Sequence, residues 1–133
     1  MRKLTVSIFR DLYKSKDVPF KITLEQALER IKVGKSKDKI ESIRNGNKAV
    51  KNSLPCILFA GDFSQRNSNS LVEHSGLMVT DFDKYPDGKT MLTHLVNLKE
   101  NKHFVSLFIS PSGNGIKGVV KIPPCNKLDH VKY

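Results

Sequence analysis

The chain has 133 residues, of which 38% are hydrophobic, and its formal net charge at pH 7 is +10. This length and composition suit one domain with a modest core. No apolar run approaches the ~20 residues of a membrane span, and the first residues lack a signal-peptide pattern, so we expect a cytoplasmic protein with no membrane partner.

The positive charge is concentrated in the first part of the chain. Residues 1–52 contain 14 Lys and Arg against 6 Asp and Glu, whereas residues 53–133 contain 9 against 7. Such a basic segment is typical of a protein that binds a phosphate-rich partner, here single-stranded or template nucleic acid. The alternative is a solvated face in a lysine-rich protein.

The N-terminal part predicts one strand and two helices. The alternating residues 4–9 predict a strand. Thr23 and Gln26 form a capping-box pattern at the start of an amphipathic helix that Gly34 can end. A second helix is predicted from Ser36 to about residue 51, and Asn45-Gly46 is expected to break it or end it early.

The rest of the chain predicts four strands, one helix and the beginning of another. The strands cover residues 54–63, 76–83, 103–111 and 116–123, and the helices cover 90–101 and the end of the chain from 123. We therefore expect one α/β or α+β domain over residues 1–133, with helices packed on a central mixed sheet.

Two aspartates close the predicted strand 76–83. Side chains two apart on a strand share a face about 6.6 Å apart, so Asp81 and Asp83 project together while Phe82 points into the core. Two carboxylates this close repel unless a cation lies between them, and hard oxygen ligands suit Mg²⁺ or Mn²⁺. The alternative is an exposed strand end whose acids accept hydrogen bonds in a turn.

A glycine-rich turn, "SPSGNGIK", follows the strand 103–111. Its Gly113-Asn114-Gly115 segment can bring backbone N–H groups around an anion, Ser110 and Ser112 add hydroxyl donors, and Lys117 adds a positive charge. We expect this turn to bind the phosphates of a nucleotide, with an ordinary hairpin as the alternative. Lys117 should then share the open face of the sheet with Asp81 and Asp83. We also expect strands 76–83 and 103–111 to lie side by side, because a right-handed crossover through helix 90–101 joins them. Arg66, in the polar loop before the acidic strand, is either a further phosphate ligand or solvated.

The segments "LPCILFAGDFSQRN", "HSGLMVTDFD" and "SPSGNGIKGVVKI" together resemble the VirE N-terminal-domain family, which is similar to the archaeo-eukaryotic primase and primase–polymerase superfamily. The resemblance covers roughly residues 50 to 122. It implies that Asp81 and Asp83 hold the catalytic divalent metals. It also implies that Ser110, Ser112 and residues 113–117 contact the incoming nucleoside triphosphate.

Two departures from the superfamily pattern bear on activity. Lys117 stands where active primases usually have a histidine, and lysine cannot both donate and accept a proton as imidazole can. The third acidic motif has no match, since Asp129 falls in the unfinished helix. We therefore expect a primase–polymerase-like core that is incomplete at its C-terminus, as in a fragment of a longer protein.

The resemblance implies a nucleotide- and metal-binding domain that acts in replication of a mobile element or phage, with a helicase-like module as a further partner. Whether it is an active nucleotidyltransferase stays open, and this chain alone is expected to be inactive because a third acid is missing. The first alternative is a non-catalytic module of the same fold that binds nucleic acid or protein. The second is a haloacid-dehalogenase-like phosphatase with Asp81 as nucleophile, although that motif has Thr or Val where this chain has Tyr85.

Overall fold

The computed structural model of the chain describes residues 4–10 and 18–123, so Asp129 and the helix predicted after residue 123 lie outside the described residues. The strands are β1 (Thr5–Phe9), β2 (Phe20–Thr23), β3 (Cys56–Leu58), β4 (Gly61–Phe63), β5 (Leu71–His74), β6 (Leu77–Asp83), β7 (Phe104–Ile109) and β8 (Gly115–Lys121). The α-helices are α1 (Leu24–Lys32), α2 (Lys37–Arg44) and α3 (Gly88–Lys99), and short 3₁₀ turns cover Lys48–Ser53 and Ser68–Ser70.

The α+β class is confirmed, but the strands do not form one central mixed sheet. In the described part of the chain they form three small sheets, ordered β2-β1-β3, β4-β5 and β6-β8-β7, and every pair is antiparallel. None of the helices in that part is both long and apolar enough to span a membrane.

The N-terminal elements follow their local sequence signals. Strand β1 agrees with the predicted strand, and β2, which the sequence did not predict, pairs with it. The capping box is present: the Thr23 hydroxyl accepts a hydrogen bond from the Gln26 N–H, and the Gln26 side chain accepts one from the Thr23 N–H. Helix α2 ends at Arg44, at the break predicted for Asn45-Gly46, because Gly46 at φ +105° turns the chain away from helical geometry.

The predicted strand 54–63 is in fact two strands in different sheets. β3 pairs with β1 and β4 pairs with β5, and a turn at residues 59–60 separates them. Two buried serines fix this turn: the Ser75 hydroxyl donates to the Phe59 carbonyl, and the Ser7 hydroxyl donates to the Gly61 carbonyl. The chain therefore changes sheet where distant side chains hold its backbone.

The third sheet places β8 between β6 and β7, so the prediction that β6 and β7 lie side by side was wrong. β6 and β7 both pair antiparallel with β8. The second strand of the β7–β8 hairpin, β8, thus lies beside β6. Its two edges form antiparallel backbone hydrogen bonds with β6 and with β7.

The core lies between the first and third sheets and is closed by α1. Its buried cluster joins side chains from both parts of the chain: Val6, Leu24, Ala27, Phe59, Leu77 and Val119. Leu77 and Val119 share one face of the third sheet, because Val79 pairs with Val119 and Leu77 is two residues from Val79. Helix α3 packs on the other face, beside β7 and β8.

Asp87 caps the start of helix α3, and its carboxylate accepts a hydrogen bond of 2.6 Å from the Thr90 N–H. The backbone and side-chain hydrogen bonds from Thr90 lower the pKa of Asp87 below its ordinary value, because they favour the ionised carboxylate. The sequence predicts that the apolar residues of this helix face inward: Met91, Leu92, Leu95, Val96 and Leu98. Met91 is buried, whereas Leu92 and Val96 are exposed, so the apolar face of the helix is narrower than predicted.

We predict that Gly61→Ala destabilises the protein far more than Gly46→Ala does. Both glycines have positive φ, but a Cβ on Gly61 would lie 2.0 Å from the carbonyl oxygen of Glu73, whereas one on Gly46 would have no heavy atom within 4 Å. Urea unfolding should show a loss of about 3 kcal/mol or more at Gly61 and about 1 kcal/mol at Gly46. Equal losses would show that the turn at residues 59–61 relaxes freely.

Candidate functional site

The two aspartates lie at the open end of β6, on the strand face that buries Leu77 further along. Asp81 and Asp83 are both exposed and share this face by strand alternation, as predicted. Phe82 points to the opposite face but is half-buried rather than fully buried. The acids thus extend beyond the apolar core on the same side of the sheet.

Lys117 lies directly across from the acid pair. The β6–β8 register pairs Asp81 with Lys117, and the Lys117 Nζ lies 2.7 Å from the Asp81 Oδ1. Ile116, its neighbour in β8, pairs with Phe82 and is 1% exposed on the opposite face of the sheet. The prediction that Lys117 shares the open face with both aspartates is confirmed.

The glycine-rich turn adjoins Asp83, because the register pairs that residue with Gly115. The turn is a hairpin: the Ser110 N–H donates to the Gly115 carbonyl, and the Gly113 N–H donates to the Ser110 carbonyl, both at 2.9 Å. Gly113 has φ +81°, a left-handed conformation that glycine adopts without strain. The backbone therefore forms the hairpin that the sequence offered as the alternative, and the predicted phosphate ligands Ser110, Ser112 and residues 113–117 lie in this hairpin and at the start of β8.

Hydroxyl groups occupy one side of this turn. The Ser110 and Ser112 hydroxyls are 3.0 Å apart, and the Ser112 hydroxyl accepts a long hydrogen bond of 3.4 Å from the Asn114 N–H. Such a pair can reorient its protons towards an anion, since a hydroxyl hydrogen rotates to suit its partner.

Arg44, at the end of α2, holds the turn in place and was missed by the sequence reasoning. Its guanidinium donates to the carbonyls of Ser110 (3.1 Å) and Pro111 (3.3 Å). Its side chain also packs where a Cβ on Gly113 would lie, with the Arg44 Nε 3.3 Å away from that position. Because 66 residues separate Arg44 from Ser110 in the chain, no local pattern could have revealed this contact.

Arg66 lies in the loop between β4 and β5. Burial raises the pKa of the Cys56 thiol, and the positive charges of Arg66 and Lys117 oppose this rise. The Arg66 side chain is half-buried.

An aromatic cluster supports the end of β6 from the helix side. The His94 ring meets Phe82 edge-to-face at 5.0 Å and hydrogen-bonds the Tyr85 hydroxyl through Nδ1. Burial, and then the charge of Asp83, raise the pKa of Tyr85. Between Asp83 and Tyr85, Lys84 has φ +60°, an uncommon left-handed conformation for a side chain of this kind. Because His94 contacts Phe82, it lies on the face of β6 opposite Asp81 and Lys117.

The donor chemistry at the site fits a divalent cation only in part. Two carboxylates with hard oxygen atoms suit Mg²⁺ or Mn²⁺, and these ions commonly take one or two carboxylates plus water and phosphate oxygens. Among residues 4–10 and 18–123, no group of three or more His, Cys, Asp or Glu side chains could hold a metal. A metal here would therefore need further oxygen atoms from a nucleotide and from water.

Comparison with known proteins gives one match. The family model described as the BT4734-like N-terminal domain matches residues 49–129, which is more than half of the chain. The matched span contains both aspartates, the glycine-rich turn and Lys117, whereas Arg44 precedes it. No curated protein and no solved structure matches the chain significantly.

We predict that Arg44→Ala loosens the turn at residues 110–114. The change removes two charge-assisted hydrogen bonds to backbone carbonyls, so hydrogen exchange of the Gly113 N–H should become faster and stability should fall by about 1 kcal/mol. Lys51→Ala, which removes an equal charge from an exposed position, is the control. Unchanged exchange at Gly113 would show that the hairpin holds its shape without Arg44.

Proposed function

Because the chain belongs to the BT4734-like N-terminal domain family, we propose that it is a primase–polymerase-like module that binds a nucleoside triphosphate together with Mg²⁺ or Mn²⁺. The family is related to primase-like N-terminal domains. The finer likeness to the VirE N-terminal domains is part of this proposal. The observation that carries it is the ion pair of 2.7 Å between Lys117 and Asp81, beside a turn rich in glycine and serine.

Asp81 and Asp83 would hold the divalent cation, which when bound would supply positive charge to the phosphate oxygens of the nucleotide. Lys117 would then exchange the Asp81 carboxylate for a phosphate group, since an exposed ion pair contributes only about 0–1 kcal/mol and breaks easily. The hydroxyls of Ser110 and Ser112, together with the Asn114 N–H, would donate to the same phosphates.

In an active version of the domain, a 3′ or initiating hydroxyl attacks the α-phosphate. The new bond joins that oxygen to phosphorus, the bond to pyrophosphate breaks, and the hydroxyl proton passes to solvent. The role of Lys117 is to neutralise the triphosphate and not to transfer this proton, because an ammonium group only donates hydrogen bonds. Arg66 is proposed as a further phosphate ligand.

A non-catalytic module of the same fold is the second candidate. It is favoured by the acid pair standing without a third carboxylate, Cys or His in the described part of the chain, and by lysine in place of histidine at residue 117. In either case we propose that the domain acts in the cytoplasm, in replication of a mobile element or phage. Its partners would be nucleic acid and a helicase-like module.

We predict weak Mn²⁺ binding that depends on the acid pair. Calorimetric titration with Mn²⁺, alone and with ATP, should give heats for the wild type that the Asp81→Asn/Asp83→Asn variant lacks, because neutral amides leave no anionic ligand. Asp38→Asn/Glu41→Gln removes the same charge from the exposed face of α2 and should bind like the wild type. Equal heats from the wild type and the Asp81→Asn/Asp83→Asn variant would refute the metal site.

We predict that Lys117→Ala acts in opposite directions on the two ligands. Without the ammonium group beside Asp81, Mn²⁺ alone should bind up to about fivefold more tightly. ATP should bind about tenfold more weakly, because a charge-assisted phosphate contact is lost.

Lys121→Ala is the control for Lys117→Ala, since Lys121 lies on the same face of β8 at the end away from the acids. The measurement is calorimetric titration of each ligand separately, with thermal unfolding to verify that both variants fold. If Lys117→Ala weakened the binding of both Mn²⁺ and ATP, or weakened the binding of neither, the proposed exchange of partners would be contradicted.

A further inference from the structure

A groove of about 1100 Å³ lies on the N-terminal part of the molecule, away from the acid pair. It is formed mainly by β1, β2 and α1, and the residues after α1 complete it. Apart from Pro55, its lining residues precede the span that the family model matches. The proposed nucleotide site therefore does not account for it.

The groove is strongly cationic. Its lining includes five Lys and Arg residues against two glutamates, Glu25 and Glu29, a net charge of +3. Two of the cations have other partners: Lys21 pairs with Asp62 at 2.9 Å, and the Lys39 Nζ donates to the Ser53 carbonyl at 2.8 Å.

The other three cations, Arg10, Arg30 and Lys35, have no ion-pair partner among residues 4–10 and 18–123. Three positive charges held around one concave surface favour a polyanion, because each phosphate that they neutralise releases a condensed counterion.

An exposed aromatic ring lies among these charges. Phe20, on β2, is 56% exposed. The guanidinium carbon of Arg10 lies 5.8 Å from the centre of its ring, close enough for a cation–π contact. A phenylalanine left exposed beside a guanidinium offers two flat groups on which an unpaired base can stack.

From this combination we propose that the groove binds single-stranded nucleic acid, with Arg10, Arg30 and Lys35 contacting phosphates and Phe20 stacking on a base. Stacking selects a single strand, because the bases of a duplex are already stacked on one another. Positive charge without the ring would not distinguish a single strand from a duplex.

The groove is separate from the acidic site, since none of Asp81, Asp83 and Lys117 lines it. Binding of a strand in the groove therefore does not require the Asp81–Lys117 pair.

The test is fluorescence anisotropy of a labelled oligothymidylate of about 12 nucleotides across a salt series. Wild type should bind it more tightly than a duplex of the same length, with an affinity that falls steeply with salt. Arg30→Glu/Lys35→Glu should weaken binding about tenfold or more and flatten the salt slope by about 1.4, or ~0.7 for each lost phosphate contact. Lys89→Glu/Lys102→Glu makes the same charge change at exposed positions elsewhere and should have little effect.

Substitutions at Phe20 test the stacking directly. Phe20→Leu should lose about tenfold in affinity while Phe20→Tyr should retain it, since a base stacks on an aromatic ring but not on an aliphatic side chain. The chain contains no tryptophan, so Phe20→Trp introduces a single fluorophore that stacked bases should quench. Circular dichroism verifies that each variant is folded.

Several outcomes would overturn the groove proposal. They are no binding at low salt, equal losses in the groove and control charge variants, and a Phe20→Leu variant that binds like the wild type. An acidic protein partner would be indicated instead if polyglutamate displaced the oligonucleotide and if Phe20→Leu and Phe20→Tyr lost equal affinity. Metal and ATP titrations of the same variants are independent of these results, so failure of the groove and failure of the nucleotide site can be told apart.

Discussion

The register between β6 and β8 is the constraint on which the site depends. It places Asp81 opposite Lys117, and it also places Val79 opposite Val119 and Phe82 opposite Ile116. Because side chains alternate along a strand, a slip of one residue in β6 would turn its aspartates towards α3 and Leu77 away from the core. Burying those carboxylates without partners would cost several kcal/mol. The apolar core therefore fixes the position of the charged residues that lie outside it.

The ion pair across this register determines what a ligand of the proposed site would have to displace. In the free protein Lys117 and Asp81 neutralise each other, so a cation alone must displace the ammonium group and an anion alone must displace the carboxylate. A cation and a phosphate that arrive together satisfy both side chains at once. Under the proposed function, the site would therefore bind a metal–nucleotide complex more readily than either component alone. Since the pair is partly exposed, the cost of separating it is small.

Sequence patterns predicted the parts of the structure that depend on local periodicity. The alternation in β1 and β6 and the capping box at Thr23 need only neighbouring residues, and they were correct. The split of the predicted strand 54–63 depends on the buried hydroxyls of Ser7 and Ser75, which are distant in the chain. The position of β8 between β6 and β7 is likewise set by pairing, and β2 and β5 are four-residue strands too short to give a clear pattern.

In this chain of net charge +10, the core joins the basic N-terminal part to the part that carries the exposed acid pair. Val6, Leu24 and Ala27 come from the basic N-terminal part, and they pack against Phe59, Leu77 and Val119 from the family-matched part. Without the N-terminal elements, the core face of β6 and β8 would be an exposed apolar patch. The same burial holds the cationic groove at a fixed position relative to the acidic site. Under the two proposals, the groove would hold the phosphates of a nucleic acid strand, and the carboxylates would hold the metal of a separate nucleoside triphosphate.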